Sequence, residues 1–374
     1  MNHKDTFPSL RTTVTVMIQD CDIQNATNAS SFVDADQKAP QGLLKFEDYP
    51  QAVLMTGFVT LIVFAIFGSV ANFVSVLALT RSSKLSNATN LLLVSLCFCD
   101  LIFCSMNTPF AATIFWYGKW VYSELGCVAS GVSRYFNVGA SMFTIVAVAI
   151  NRLIVIAYPR SQKLIFTPGN NLVFVASTWV LACLVIILPT GKFWGHFKWD
   201  PELGSCSVVP YNGRSCRHFL LTLMCVVPNI TFVYCYSRIY FIVRRARRRL
   251  RSHSRLTSKS NTVSLSNVQL SEKEKMKTEK NGRLLRMILA VFFAFTFSYL
   301  PVNVVHVFGI FRDSSWVRVT CWITFFFSGC VNPIIYVCMS REYRKSYFEL
   351  FRGSSGTSCV VEARTQTKTK IARL

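Results

Sequence analysis

Seven long apolar stretches, separated by polar segments, dominate the pattern of hydrophobic and polar positions along the chain. A helix needs roughly 20 mostly apolar residues to cross the hydrocarbon core of a bilayer. The stretches that meet this length lie at about 54–80, 88–115, 125–157, 172–192, 217–243, 284–311 and 316–339. The pattern therefore predicts an all-α membrane protein, a bundle of seven transmembrane helices.

Each apolar stretch also contains a residue that is costly in that setting. Hydrocarbon offers no water to satisfy a polar group or a broken helical hydrogen bond, so such residues cluster where function is. They are Asn72, Asp100, Arg152, Trp179, Pro228, Pro301 and Pro333. The interior of the predicted bundle is therefore expected to have a function beyond packing.

Positive charge is concentrated on one side of the predicted bundle. The formal net charge is +22, although only 16% of the residues are charged and 52% are hydrophobic. Basic residues crowd the end of the fifth stretch, the approach to the sixth and the segment after the seventh. Short loops rich in Lys and Arg stay in the cytoplasm and favour contact with anionic lipid. We expect a plasma-membrane protein with an extracellular N-terminus and lipid contacts, and no nucleic-acid partner, because no nucleic-acid-binding motif is visible.

Composition divides the chain into four predicted regions. They are an extracellular tail (1–50), a seven-helix domain (51–340) with a disordered basic loop at about 244–283, an amphipathic juxtamembrane helix (341–352) and a disordered cytoplasmic tail (353–374). Sequons at Asn25 and Asn28 predict glycosylation of the first region. Alternation of basic and apolar residues predicts that the juxtamembrane helix lies on the inner leaflet.

Most of the 14 cysteines lie inside the predicted spans, where a free thiol behaves as a small hydrophobe. An oxidising exterior permits disulfides among the others. Cys127, at the outer start of the third span, and Cys206, in the loop after the fourth, form the best pair. Cys216 in place of Cys206, or Cys216 paired with Cys21, stays open on the sequence alone.

Several short motifs occur in order along the spans. They are Asn72 in Gly68-Ser69-Val70-Ala71-Asn72, Asp100 in Leu96-Cys97-Phe98-Cys99-Asp100, Trp120 before Cys127, Arg152, Trp179 with Pro189, Pro228 with Tyr236, Pro301, and Asn332-Pro333-Ile334-Ile335-Tyr336. With these motifs, residues 54–352 resemble the rhodopsin-like (class A) G-protein-coupled receptors. Two departures, Asn151-Arg152-Leu153 and Ser298-Tyr299-Leu300-Pro301, are similar to the Moody, trapped-in-endoderm and melatonin-like subgroup.

The resemblance implies a receptor that couples an extracellular ligand to a heterotrimeric G protein, without enzymatic activity. Receptor kinases and arrestin are expected partners, because serine and threonine crowd the cytoplasmic tail and phosphate there would cancel basic charge. A non-signalling adhesion or scaffold receptor is the alternative from a different class. Retinal is not expected, because the seventh span has no lysine and carries Phe326 at the Schiff-base position of opsins.

The resemblance also implies that five polar residues converge in the middle of the membrane. They are Asp100, Asn137, Ser141, Ser328 and Asn332. Asn137 and Ser141 are four residues apart and so share one face of a helix. A carboxylate with amide and hydroxyl oxygens suits a small hard cation, so an allosteric sodium site is expected, with no other metal or cofactor. The alternative is a structural cluster of hydrogen bonds.

A G-protein switch is implied at the cytoplasmic end. Its residues are Asn151, Arg152, Tyr236, Tyr299, Pro301, Pro333 and Tyr336. The donors of Arg152 can exchange inactive-state partners for acceptors on the G protein, and Pro301 loosens the sixth helix by removing a hydrogen bond. Asn151 and Asn281 replace the acidic residues that usually restrain the arginine, so some basal signalling is expected. Alternatively, the two amides hold Arg152 well enough by hydrogen bonding.

The ligand pocket implied by family position contains Arg134, Tyr135, Val138, Asn303, His306 and Trp322. Amine receptors carry an aspartate where Arg134 stands, so the arginine favours an amphipathic anion such as a fatty acid or a lysophospholipid. In the alternatives, Arg134 extends to the outer headgroups or pairs with Glu124 or Glu202. A peptide or amine ligand is the corresponding alternative function.

Overall fold

The computed structural model describes residues 45–81, 88–257, 265–308 and 314–351. Within these ranges, seven helices are long and apolar enough to cross a membrane. They are α1 (Gln51–Thr80), α2 (Ala88–Tyr117), α3 (Glu124–Ala157), α4 (Pro168–Thr190), α5 (Arg217–Thr257), α6 (Leu265–Phe308) and α7 (Ser315–Met339). A short helix, Pro159–Ile165, lies between α3 and α4, and a further helix, α8 (Arg341–Phe351), follows α7. This architecture confirms the predicted all-α bundle and its juxtamembrane helix.

The bundle is organised around α3, which contacts α2, α4, α5 and α6, while α7 packs between α1 and α6. Two of the costly polar side chains join neighbouring helices. The Asn72 amide of α1 donates to the carbonyl of Gly329 in α7, at 2.7 Å. The Trp179 indole of α4 donates to the Ser95 hydroxyl of α2, at 2.9 Å. Buried polar groups of this kind fix which helices are neighbours, because only one arrangement satisfies them.

The fourth helix begins at Pro168, four residues before the predicted start at 172. Thr167 is its N-cap, with a hydroxyl that accepts the N–H of Asn170 at 3.3 Å. Proline suits the first helical position, because the N–H that it lacks would be unsatisfied there. The apolar pattern alone missed this polar first turn.

The segment between α5 and α6 differs from the sequence prediction. α5 continues to Thr257 and α6 begins at Leu265, so helix covers most of the loop predicted to be disordered at about 244–283. Arg, Lys and Glu are good helix formers. A helix already nucleated in the membrane extends into such a segment at little cost. Polar composition therefore did not imply disorder here.

The middle of α2 contains one wide turn of π-helix, Phe103–Asn107. Pro109 has no N–H to donate. The carbonyl of Phe103 accepts both the backbone N–H of Thr108 and its hydroxyl, the latter at 3.1 Å. The extra residue changes the register of the C-terminal half of α2. As a result, the Asn107 amide reaches the Ser133 hydroxyl of α3, at 3.2 Å.

Between α4 and α5 the chain forms an antiparallel hairpin of β1 (His196–Asp200) and β2 (Ser205–Val209). A disulfide joins Cys206 of β2 to Cys127 at the start of α3, while Cys216 is buried with a free thiol. Gly204 in the turn has a φ of +60°, and a β-carbon there would overlap the ring of Phe46. The disulfide therefore holds the hairpin over the N-terminal end of α3.

Two tyrosines fix α8 to the bundle. The Tyr343 ring packs against Tyr336, with centroids 5.6 Å apart, and its hydroxyl donates to the Asn90 side-chain oxygen at 3.3 Å. The Tyr347 hydroxyl lies 2.5 Å from the Ser75 hydroxyl of α1. The amphipathic helix thus has a polar attachment to the bundle as well as an apolar face.

Candidate functional site

A small cavity of about 70 Å³ lies in the half of the bundle nearest the hairpin, beneath it. Five of the six residues predicted to form the ligand pocket line it: Arg134, Tyr135, Val138, Asn303 and Trp322. His306 lies further along α6, and its side chain is outside the described part of the structure. The floor is apolar and aromatic, formed by Met142, Met224, Tyr299 and Phe325. The structure therefore brings most of the predicted pocket together.

Arg134 places a positive charge in this cavity. Its side chain is buried, with 7% of the residue exposed, and donates to the backbone carbonyl of Cys206. Its guanidinium carbon lies 5.5 Å from the centroid of the Trp322 ring. Within the described ranges no salt bridge joins it to a carboxylate, including Glu124 and Glu202. The guanidinium thus lines the cavity, and no carboxylate of the described residues compensates its charge.

The second cation of the lining, Arg217, is neutralised. Its guanidinium lies 2.5 Å from the Asp200 carboxylate and also donates to the carbonyl of Val208, at 2.8 Å. Asp200 in turn accepts the backbone N–H groups of Glu202 and Leu203. This pair stabilises the hairpin turn and leaves Arg134 as the cation that is available to a ligand.

The roof of the cavity was missed by sequence reasoning. Leu203, Ser205 and Ser207 of the hairpin line it, and the Ser207 hydroxyl lies 3.0 Å from the Tyr135 hydroxyl. Because strand residues alternate, Ser205 and Ser207 share the face opposite Cys206. The signal that would have found them is their position beside Cys206, whose disulfide places the hairpin over α3.

The five residues of the proposed sodium site are all buried, with at most 3% of each residue exposed. The Asn332 amide donates to the Asp100 carboxylate at 2.6 Å. Ser328 instead donates to the carbonyl of Phe325, and the Asn137 amide donates to that of Ser133. The side-chain oxygens of Asn137 and Asn332 are buried without a hydrogen-bond partner in the described structure.

Unpartnered buried oxygens are costly, and here they belong to the types of group that coordinate a hard cation. The residues present therefore fit a sodium ion. Asp100 would supply the charge, and Asn137, Asn332 and the serine hydroxyls would supply neutral oxygens. Among the described residues, three or more His, Cys, Asp or Glu side chains do not cluster as they would for a transition metal.

At the C-terminal end of α3, Arg152 is buried and its Nε has no hydrogen-bond partner in the described structure. The neighbouring Asn151 side-chain oxygen accepts a hydrogen bond from the Thr89 hydroxyl, at 2.7 Å. The hydroxyls of Tyr236 and Tyr336 are also buried and unpartnered among the described residues. Asn151 therefore binds α2. In the described structure, the Nε of Arg152 and the hydroxyls of Tyr236 and Tyr336 do not form hydrogen bonds with one another.

Comparison with known proteins decides the family. The family model described as "7 transmembrane receptor (rhodopsin family)" matches residues 71–336. The chain belongs to this family. Its members are signalling receptors and not enzymes, and they respond to extracellular ligands by activating G proteins.

The relatives named in the comparison agree with the predicted subgroup. "Protein trapped in endoderm-1" of Drosophila melanogaster is 26% identical, over 86% of this chain and 83% of its own length. "G-protein coupled receptor moody" of the same organism is also 26% identical, but this chain spans about half of it, 51%. "Melatonin receptor type 1A" of Mus musculus is 25% identical over 86% of this chain and 87% of its own length.

Among solved structures, the crystal structure of squid rhodopsin matches with a TM-score of 0.69 and 19% identity. The match covers 81% of this chain and 87% of that chain. At this identity the likeness establishes the shared seven-helix fold, which the helix packing described above already indicates.

In this receptor, Tyr299 connects the cavity to the mid-membrane cluster. Its ring lies in the cavity floor, stacked on Phe295 with centroids 4.5 Å apart and edge-on to Phe325 at 5.0 Å. The Tyr299 hydroxyl lies 3.4 Å from the Ser328 hydroxyl. A ring displaced by a ligand would therefore also move a residue of the proposed sodium site.

Sequence reasoning did not assign Tyr343 to the switch. Burial raises the pKa of its hydroxyl, and the nearby Arg152 guanidinium lowers that pKa by a smaller amount. Together with the hydrogen bond to Asn90, this places a polar group of α8 beside Arg152. The sequence signal that would have found Tyr343 is that it is an aromatic residue seven positions after Tyr336.

Several predicted features lie outside the described residues. They are the sequons at Asn25 and Asn28, Cys21, the side chain of Asn281 and the Ser/Thr-rich tail from 353 onward. Glycosylation, tail phosphorylation and arrestin binding therefore stay predictions.

Proposed function

We propose that this receptor lies in the plasma membrane with its N-terminus outside and binds an amphipathic anion in the cavity beneath the hairpin. The observation that carries the proposal is Arg134, a buried guanidinium without a carboxylate partner in the described structure. A carboxylate or phosphate pairs with a guanidinium bidentately. The apolar floor of Met142, Met224 and Phe325 suits the hydrocarbon part of such a ligand.

The cavity is smaller than the 300–1,000 Å³ or so of typical ligand pockets. Binding of an amphipathic ligand therefore requires side chains of the cavity lining to move apart. Methionine is unbranched and adaptable, and Met142 and Met224 line the floor. We infer that a hydrocarbon chain enters between them and presses on Tyr299, while the charged group displaces the backbone contact of Arg134.

A ligand panel tests the sign of the ligand. Membranes that contain the receptor are mixed with a heterotrimeric G protein, and guanine-nucleotide exchange is measured with fatty acids, lysophospholipids, small amines, and melatonin, which appears in the relatives' names. An anionic lipid is expected to raise exchange, because only an anion compensates Arg134. Membranes without the receptor are the control, and an amine that activates while every anion fails would contradict the proposal.

We infer that the mid-membrane cluster binds sodium in the resting receptor. The buried Asp100 carboxylate and the unpartnered oxygens of Asn137 and Asn332 support this. A cation there would hold α2, α3 and α7 together. Movement of Ser328 with Tyr299 would weaken the site, so agonist and sodium would oppose each other.

Basal signalling is also proposed, because the residue before Arg152 is neutral and already bonded to Thr89. Changing Asn151 to aspartate is expected to lower ligand-free nucleotide exchange about threefold to tenfold, since a new ion pair worth about 1 kcal/mol restrains Arg152. The carboxylate keeps an acceptor for Thr89, so the packing is preserved. Exchange is measured in membranes at matched receptor levels.

The matched control is Asn170→Asp, which adds the same charge at an exposed site near the start of α4. It is expected to leave exchange unchanged. Tyr343→Phe, which removes the hydroxyl beside Arg152, is expected to raise it. Equal exchange in wild type and Asn151→Asp would show that the missing charge does not set the basal level.

A further inference from the structure

The hairpin places a hydroxyl without a partner at the polar end of the cavity. Ser205 of β2 lines the cavity and is 2% exposed, and its hydroxyl has no hydrogen-bond partner in the described structure. Buried hydroxyls in folded proteins are nearly always hydrogen-bonded, so an exception requires an explanation. The hydrogen bonds of the hairpin do not supply one, which directs attention to a bound molecule.

Arg134 lies beside this hydroxyl, because it donates to the backbone carbonyl of Cys206, the next residue along β2. Side chains alternate along a strand, so Ser205 and Ser207 lie on one face and the disulfide of Cys206 on the other. The Ser207 hydroxyl is already within 3.0 Å of the Tyr135 hydroxyl. In the described structure, the guanidinium and the Ser205 hydroxyl are thus the donors that a bound group would meet at this end.

The polar end offers a ligand a single positive charge. Arg134 and Arg217 are the charged residues of the described lining, and Arg217 lies 2.5 Å from the Asp200 carboxylate. Asp200 is 8% exposed, so drawing Arg217 towards a ligand would leave a buried carboxylate without its partner, which is strongly unfavourable. The ligand therefore has one guanidinium to neutralise it.

We propose that the polar end of this cavity selects a carboxylate over a phosphate, with the Ser205 hydroxyl donating to the carboxylate that Arg134 binds. Ser205 is then a residue that determines specificity, and a partner from the ligand replaces the one that the hydroxyl lacks. The proposal rests on the proposed function, since it names the headgroup of the amphipathic anion.

Charge separates the candidate headgroups. A carboxylate carries one negative charge and only accepts hydrogen bonds, which matches one guanidinium and one hydroxyl donor. A phosphate monoester carries about −1.5 to −2 charges at pH 7, and its second charge would be buried without a partner. A choline phosphodiester would bring a cation, and the described lining contains no Asp or Glu to receive it.

The test compares probes that share one chain and differ in the headgroup: octanoate, octyl phosphate, octanol and octylamine. Membranes that contain the full-length receptor are mixed with a heterotrimeric G protein, and the half-maximal concentration for guanine-nucleotide exchange is measured. Octanoate is expected to be about tenfold or more as potent as octyl phosphate, because the extra phosphate charge has no partner. Octanol and octylamine are expected to be inactive, and membranes without the receptor are the control.

The variant Ser205→Ala tests the hydroxyl directly. It is expected to raise the half-maximal concentration of octanoate about tenfold, because a hydrogen bond to a charged group is lost. The melting temperature of the ligand-free receptor should stay equal or rise, since the substitution removes a buried hydroxyl that has no partner. The matched control is Ser130→Ala, at a buried serine of α3 outside the lining, which should keep the potency within about twofold.

The outcomes separate this proposal from the proposed function. Octyl phosphate as potent as octanoate would overturn the selection of a carboxylate and still leave an anion in the cavity. Activation by octylamine alone would overturn both. A receptor that does not respond to octanoate, or a Ser205→Ala variant that responds like the wild type, would overturn the present proposal. A fall in the melting temperature of ligand-free Ser205→Ala would overturn it as well, because the hydroxyl would then be structural.

Discussion

Replacing Asp100 with asparagine is expected to abolish the stabilisation of this receptor by sodium. In the wild type, exchanging potassium for about 0.15 M sodium should raise the melting temperature of the purified receptor. At about ten times its Kd, a ligand bound only by the folded state contributes about 1.4 kcal/mol, or a shift of about 2–4 °C. Asparagine keeps the size of Asp100 and a hydrogen bond to Asn332 but removes the charge that attracts the cation.

Two serine variants sharpen this experiment. Ser328→Ala removes one proposed oxygen ligand and is expected to reduce the sodium shift. Ser95→Ala makes the same change at a buried hydroxyl that accepts the indole N–H of Trp179, and should leave the sodium-induced shift in melting temperature unchanged. Ligand-free nucleotide exchange provides an independent measure, since sodium should lower it in wild type and not in Asp100→Asn. Identical sodium shifts in wild type and Asp100→Asn would show that the cluster is a structural network of hydrogen bonds and does not bind sodium.

The spanning helices and the polar residues inside them were readable from the sequence, because a bilayer imposes both length and composition. The 20-residue requirement located all seven helices. It misplaced their ends only where capping or helix propensity extends a helix beyond its apolar stretch. Thr167 starts α4 with a polar first turn, and helix-forming charged residues carry α5 and α6 beyond the membrane. A charged helix and a disordered loop have similar amino-acid compositions, so the pattern of hydrophobic and polar positions could not distinguish them.

The contacts of individual side chains were less accessible. That Arg134 donates to the carbonyl of Cys206 depends on where the hairpin lies, and this depends on the disulfide with Cys127. The sequence left two partners open for Cys127. In the same way, the position of Tyr343 beside Arg152 depends on the turn of the chain after α7. Both are long-range consequences that local periodicity does not encode.

Replacing Arg134 with glutamine is expected to raise the half-maximal concentration of an anionic agonist about 10- to 100-fold. A hydrogen bond to a charged group contributes about 1.5–3 kcal/mol, and each 1.4 kcal/mol corresponds to about a factor of ten. Glutamine keeps a donor for the carbonyl of Cys206 but offers the ligand no charge. G-protein nucleotide exchange is measured against the anionic lipid that the ligand panel identifies, at matched surface expression.

The matched control for Arg134 is Arg318→Gln. Arg318 has the same exposed fraction, 7%, but it lies over the Tyr49 ring at 5.3 Å and is not part of the cavity lining. Its variant should keep the potency of the agonist within about twofold. Arg134→Lys should give an intermediate loss, because lysine keeps the charge but cannot form the bidentate pair. If Arg134→Gln responds like the wild type, or if both glutamine variants lose potency equally, Arg134 does not bind the anion of the ligand.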